Sequence, residues 1–168
     1  MAIKQVLMIG DPKLRLKSSE VTNFDEELEG IIADLKDTLT YLQDTKKIGR
    51  GLAAPQLGHM KRVIHYRLPN KSFTMINPKI SWSSKEKIKV WDSCFSFDVA
   101  FFVEIERNKV VKVNFLDQNG KQIVKKFVNE ISELVQHEID HLNGILATDH
   151  LTDVKKIISR QEWEKRYK

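Results

Sequence analysis

The stretch from Glu130 to Asn143 constrains this chain more than any other part of it. Ile131, Leu134, Val135, Ile139 and Leu142 recur at three- and four-residue steps, the spacing of an amphipathic helix, and Gly144 follows as a C-terminal cap. Inside it stands His137-Glu138-Ile139-Asp140-His141. Residues four apart lie one helical turn above each other, so both imidazoles can grip a single ion. At about 100° per residue, the two histidines fall at the border of the apolar stripe and Glu138 falls inside it. A carboxylate on a core-facing surface is costly unless it has a partner or a task. A water beside a bound ion supplies both.

Such an ion needs a third protein ligand and one open position. Cys94, His150 and Glu162 are the candidates. Cys94 is favoured, because a thiolate binds soft or borderline ions strongly. Either of the other two would make the chain a zinc peptidase built on His137 and His141. The extended spacing HExxHxxGxxH would need a histidine at 147, where this chain has Ala147.

The remaining elements point to an α+β fold. A helix is expected from about Asp25 to Gln43, with Leu28, Ile31, Ile32, Leu35, Leu39 and Leu42 on one stripe and Asn23 or Asp25 as its cap. Thr45 to Arg50 reads as a polar loop. Val63–Leu68, Phe73–Ile80 and Ile88–Trp91 read as strands, broken at Pro69-Asn70, Asn77-Pro78 and Ser83-Ser84. Val110–Leu116 and Gln122–Val128 form a hairpin around Asn119-Gly120. A third, basic helix is expected over about 153–168. With 168 residues, one domain spanning 1–168 is expected.

Composition narrows the setting. A single cysteine forms no internal disulfide and fits a reducing cytoplasm. No apolar run approaches the roughly 18 residues of a membrane span, and the start MAIKQVLMIGD lacks signal-peptide features. The net charge of +5 permits an anionic partner without demanding one, and no RNA-binding signature with interleaved aromatics is present. A monomer with no DNA or membrane partner is expected.

Upstream, Gly49-Arg50-Gly51-Leu52-Ala53-Ala54-Pro55-Gln56 holds small residues that let a backbone approach something closely. The Gln56 amide can donate a hydrogen bond into a site. A phosphate loop is the weaker reading, since no Lys-Ser/Thr pair follows and GxGxxG is absent.

Three segments together resemble the peptide deformylase family, whose pattern runs GxGLAAxQ, EGCLS, QHExDH. Here these are Gly49 to Gln56, Asp92-Ser93-Cys94-Phe95-Ser96 and Gln136 to His141, in the same order and at similar spacing. Asp11-Pro12-Lys13-Leu14-Arg15 and Ile76-Asn77-Pro78 extend the likeness over nearly the whole chain. The resemblance implies mixed, mainly antiparallel sheets wrapped around the HExxH helix. It implies Fe2+ at Cys94, His137 and His141, with Zn2+, Ni2+ or Co2+ as substitutes. Glu138 would be the acid/base, and Gln56 and the Phe95 backbone N–H would stabilise the oxyanion. The substrate implied is the formyl-methionine terminus of nascent polypeptides, and the products are formate and a free amine.

The departures from that pattern cluster around the site. Asp92, Ser93 and Phe95 replace Glu, Gly and Leu, and Asp92 is expected to pair with Arg107. Phe97 to Phe102 forms an apolar loop without the family's Pro and Arg. The substrate pocket is expected at Gly49, Arg50, Gly51, Leu52, Glu130, Glu133 and Leu134. Of these, Arg50, Glu130 and Glu133 are charged where the family is apolar, so an Arg50–Glu133 or Arg50–Glu130 ion pair and an altered side-chain preference are expected. A catalytically silent homologue that binds peptides or the ribosome is the alternative from another class. Ribosomal RNA contact would fall to the basic tail with Lys155, Lys156, Arg160, Lys165, Arg166 and Lys168.

Overall fold

The helix that carries both histidines, α2 (Glu130–Leu142), is buried from Ser132 to Leu142 apart from half-buried Asp140. The structure is a computed structural model that describes residues 3–167. Before α2 come α1 (Glu26–Lys46), β1 (Gly51–Ala53), β2 (Val63–Leu68), β3 (Lys71–Ser83), β4 (Lys87–Asp92), β5 (Phe101–Asn108), β6 (Val110–Leu116) and β7 (Gln122–Val128). After it come β8 (Ile157–Ser159) and α3 (Arg160–Tyr167). One sheet has the order β1-β2-β3-β6-β7 and the other β4-β5-β8. Their ladders are all antiparallel, and among the described residues parallel pairing is confined to the bridge between Ser19 and Lys61. The fold is the expected α+β arrangement of antiparallel sheets and three helices.

The apolar stripe of α2 packs on the larger sheet. Leu134, Val135, Ile139 and Leu142 share a cluster with Ile64, Met75, Val113, Phe115 and Phe127. Burying side chains of this size is worth about 1.5–3 kcal/mol each. The polar side of α2 is covered as well. Ser132 donates to the Asn108 carbonyl at 2.9 Å, and Gln136 donates to the same oxygen at 2.8 Å while accepting from the Asn108 N–H at 3.1 Å. The turn between β5 and β6 therefore closes the face that the helical wheel marks as polar.

In α1 the cap is Asp25, whose carboxylate accepts from the Leu28 N–H at 3.2 Å. The helix runs past Gln43 to Lys46, so the polar loop starts later than expected. The Thr45 hydroxyl bonds back to the Tyr41 carbonyl at 2.8 Å, and Lys47 ends the helix in the left-handed region at φ 56°. Gln43 then donates to the carbonyls of Gly49 and Arg67, both at 2.9 Å, and pins the segment leading into β1.

Three other expectations change. Asn77-Pro78 is not a break but a bulge inside β3, where the register shifts between Ile76 and Lys79. The Asn77 side chain exchanges two 2.8 Å hydrogen bonds with the Val21 backbone, which ties the N-terminal segment to the sheet. Asn119-Gly120 lies in a longer loop, in which Asp117 accepts from the N–H groups of Asn119 and Lys121. The expected helix over 153–168 is only α3. Ile157 and Ser159 are exposed and Ile158 is buried, a period of two, and this segment pairs with the start of β5. The short strands β1 and β8, and β5 with them, were not expected from sequence. The tail's charge is also largely paired: Lys156 with Glu104, Arg160 with Glu164, Lys165 and Arg166 with Glu162. Lys168 lies outside the described residues.

Candidate metal centre

Three elements meet at one end of α2. β4 ends at Asp92, and Cys94 then caps a short 3-10 turn over Phe95–Phe97. α2 presents His137, Glu138 and His141. β1 leads into a second 3-10 turn, Ala54–Leu57, which carries Gln56.

Cys94, His137 and His141 are all buried, and their ligand atoms lie within 4.8 Å of one another. Cys94 Sγ stands 3.2 Å from His141 Nε2, which stands 3.2 Å from His137 Nε2. Gln56 Nε2 donates to Cys94 Sγ at 3.2 Å and to Ser96 Oγ at 3.1 Å. Its carbonyl accepts the Ala53 N–H at 2.9 Å, so the amide group has one orientation, with its NH2 toward the sulfur.

Behind the cluster runs a buried charged chain. His137 Nδ1 lies 2.9 Å from Asp92 Oδ1, and the other Asp92 oxygen lies 3.0 Å from Arg107. Arg107 also pairs with Asp140, which is 2.7 Å from His150 Nε2. Burial opposes the charged form of Asp92, but His137 and Arg107 outweigh it and hold the carboxyl well below its usual range. Burial likewise opposes protonation of His137, yet the Asp92 carboxylate raises its pKa well above normal. Burial, reinforced by the neighbouring His137, pushes His141 well below normal.

Glu138 has no such support. Burial pushes its carboxyl up to about 7, against the pull of His137. Its Oε2 is buried with no hydrogen-bond partner among the described residues. A β-carbon at Gly51 would come within 2.5 Å of Glu138 Oε1, so only glycine lets β1 approach this close. Gly49, at φ 99°, is constrained in the same way, since a β-carbon there would meet the Phe95 ring at 2.0 Å.

These residues border a cavity of about 450 Å3. Gly49, Arg50, Gly51, Glu130, Glu133 and Leu134 line it as expected from sequence, together with Gln56, Phe95 and Glu138. Leu52 does not. Successive residues of a strand face opposite ways, so with Gly51 against Glu138, Leu52 turns into the α1 core and is fully buried there. Arg50 pairs with Glu133 at 2.5 Å and donates to the Glu130 carbonyl at 3.3 Å. Burial pushes the Glu133 carboxyl up, and Arg50 opposes the shift.

The two rival third ligands lie elsewhere. His150 is engaged by Asp140 and Arg107, and Glu162 pairs with Lys165 and Arg166 on α3. Sequence reasoning anticipated the Asp92–Arg107 pair but not the Asp92–His137 contact. It also missed Trp91 and Trp163 in the cavity wall. The only signal for Asp92 was its place two residues before the cysteine, and for Trp163 there was none.

The donor set fits a divalent ion. Two imidazole nitrogens and one sulfur converge, the mixture preferred by borderline metals, and an orphaned buried carboxylate stands beside them.

Residues 3–157 match the family model described as polypeptide deformylase. The chain is 34% identical over 158 residues to the peptide deformylase of Thermotoga maritima, covering 94% of this chain and 93% of that protein. It is 33% identical over 170 residues to the peptide deformylase of Brucella suis, covering 98% and 94%. The crystal structure of the Thermotoga maritima peptide deformylase superposes with a TM-score of 0.83 at 33% identity, covering 91% of this chain and all of that one.

Proposed function

This chain belongs to the polypeptide deformylase family, and from that premise we propose that it hydrolyses the formamide bond at the amino terminus of nascent polypeptides, releasing formate. The observation that carries this is the convergence of the Cys94, His137 and His141 ligand atoms, beside a cavity lined by Cys94, His137 and Glu138, whose buried Oε2 has no partner among the described residues. We propose Cys94, His137 and His141 as ligands of a divalent ion, Fe2+ in the cell, with Zn2+, Ni2+ or Co2+ able to substitute. A cation there supplies Lewis acidity to the formyl carbonyl and lowers the pKa of a water.

The chain's own groups do the rest. Glu138 takes a proton from the attacking water and passes it to the leaving nitrogen as the C–N bond breaks. The Gln56 NH2, whose orientation is fixed by Ala53, and the Phe95 backbone N–H donate to the developing oxyanion. Asp92 holds His137 with Nδ1 turned away from the cluster, which leaves Nε2 facing it. Asp92→Ala is therefore expected to lower metal affinity by about 10–100-fold, as loss of such a supporting partner does. Titration of the metal-free protein with Zn2+ against a competing chelator measures it, and an unchanged affinity would remove Asp92 from the design. The assay that tests the reading as a whole is formate release from formyl-Met-Ala-Ser alongside elemental analysis of anaerobically purified protein. Full metal content without formate would leave the silent peptide-binding homologue instead.

We further propose that the first side chain is selected differently from an ordinary methionine pocket, because Arg50 and buried Glu133 form part of the wall. Replacing the pair with Arg50→Ile and Glu133→Leu together is expected to raise kcat/KM for formyl-Met peptides about tenfold, the worth of burying one apolar side chain. A panel varying the first residue measures the preference. Equal strength for formyl-methionine before and after the change would sink the idea. A reducing cytoplasm suits a thiolate ligand. Any ribosome contact would fall to exposed Lys155 and to Lys165 and Arg166 of α3, the last two partnered by Glu162.

A further inference from the structure

The cavity that the Arg50–Glu133 pair lines also has an apolar, partly aromatic lining. Ile48, Trp91, Val99, Phe102 and Trp163 form it. Trp163 comes from α3, beyond the residues that match the family model, which end at 157. β8 brings it there by pairing with the start of β5, Phe102 opposite Ile158, so that α3 begins beside the cavity. Arg160 then fixes the helix, its backbone N–H bonding to the Ala100 carbonyl and its Nη2 to the Lys46 carbonyl, both at 2.9 Å. The Trp163 indole lies flat on Phe102, with ring centroids 4.4 Å apart and planes 11° from parallel. Tyr167 packs behind it, touching both Trp163 and Trp91. The indole N–H is buried with no acceptor among the described residues, although buried tryptophans usually find one.

We propose that Trp163 is a specificity-determining residue that makes the chain prefer substrates with a large apolar side chain at the second position. This rests on the deformylation reading above. An extended peptide points successive side chains in opposite directions. A first side chain set against Arg50, Glu133 and Leu134 leaves Trp163, Phe102 and Trp91, which line the same cavity, to receive the second. An aromatic surface there rewards apolar bulk and gives a serine or alanine little.

The test uses the full metal-loaded chain and the peptides formyl-Met-X-Ser with X as Ser, Leu or Phe. The unaltered protein is expected to favour Phe and Leu over Ser by about tenfold in kcat/KM, matching one buried side chain. Trp163→Ala should erase most of that ratio by raising KM for the Phe peptide while kcat holds, and Trp163→Phe should restore most of it. A loss equal across all three peptides, or no preference in the unaltered protein, overturns the proposal. Should Trp163→Ala unfold, the comparison rests on Trp163→Leu and Trp163→Phe. A second measurement needs no turnover: quenching of tryptophan fluorescence by the product peptides Met-Phe-Ser and Met-Ser-Ser. If no formyl peptide releases formate, whatever its first residue, the deformylation reading fails, and the binding ratio still decides the role of Trp163. Equal binding of the two products would then sink it.

Discussion

Glu138→Gln is expected to lower formate release about a thousandfold while leaving the metal content intact. Glutamine matches the carboxylate in shape but cannot carry a proton from water to the leaving nitrogen. Glu138 is not among the three converging donors, so the cluster of Cys94, His137 and His141 remains whole. Elemental analysis and a formate assay on the same sample test both halves, and a variant that keeps a tenth of the activity would remove Glu138 from its role. The same substitution has an opposite effect on stability in the metal-free protein. Burial raises the Glu138 carboxyl from its ordinary 4.5 to about 7. A raised folded-state pKa means the folded protein holds the proton more tightly than the unfolded chain. Its contribution is thus complete below pH 4.5 and is lost as pH rises through about 7. Above that, an ionised carboxylate sits buried with one oxygen unpartnered, and the loss amounts to about 3 kcal/mol at most. Glu138→Gln should therefore melt higher than the unaltered protein at pH 8 and about the same at pH 4.5, both without metal. Equal melting at pH 8 would show that the carboxylate finds a partner or water when it ionises.

Cys94→Ala is expected to abolish stable metal binding and, with it, formate release. The loss should exceed the roughly 10–100-fold expected for Asp92, which only orients a ligand. Neither rival ligand can take over the position. His150 is committed to Asp140 at 2.7 Å, and Glu162 is paired on α3. Metal content after anaerobic purification is the measurement. A variant that retains a full equivalent would revive the zinc peptidase built on His150 or Glu162. The structural cost of the change should be small, since the thiol occupies a buried site among Leu14, Phe97, Val103 and Leu146, where alanine leaves only a small gap.

Helix periodicity alone located α1 and α2, because the three- and four-residue recurrence of Leu28 to Leu42 and of Ile131 to Leu142 is a local property of the chain. The same locality put His137 above His141 and placed Glu138 on the core-facing stripe. Strands with clear turn residues at their ends, Val63–Leu68, Val110–Leu116 and Gln122–Val128, were equally legible. Resemblance in three short segments then supplied the family. What the sequence could not decide was every partnership between distant residues. Cys94, His150 and Glu162 all had suitable chemistry, and only the path of β4 into the 3-10 turn brought the sulfur to the imidazoles. Asp92 behind His137, Leu52 turned into the core, and Trp163 in the cavity wall follow from sheet pairing between segments far apart in the chain. A side chain's neighbours along a helix are fixed by its own spacing, whereas its neighbours across a fold exist only once the loops have closed.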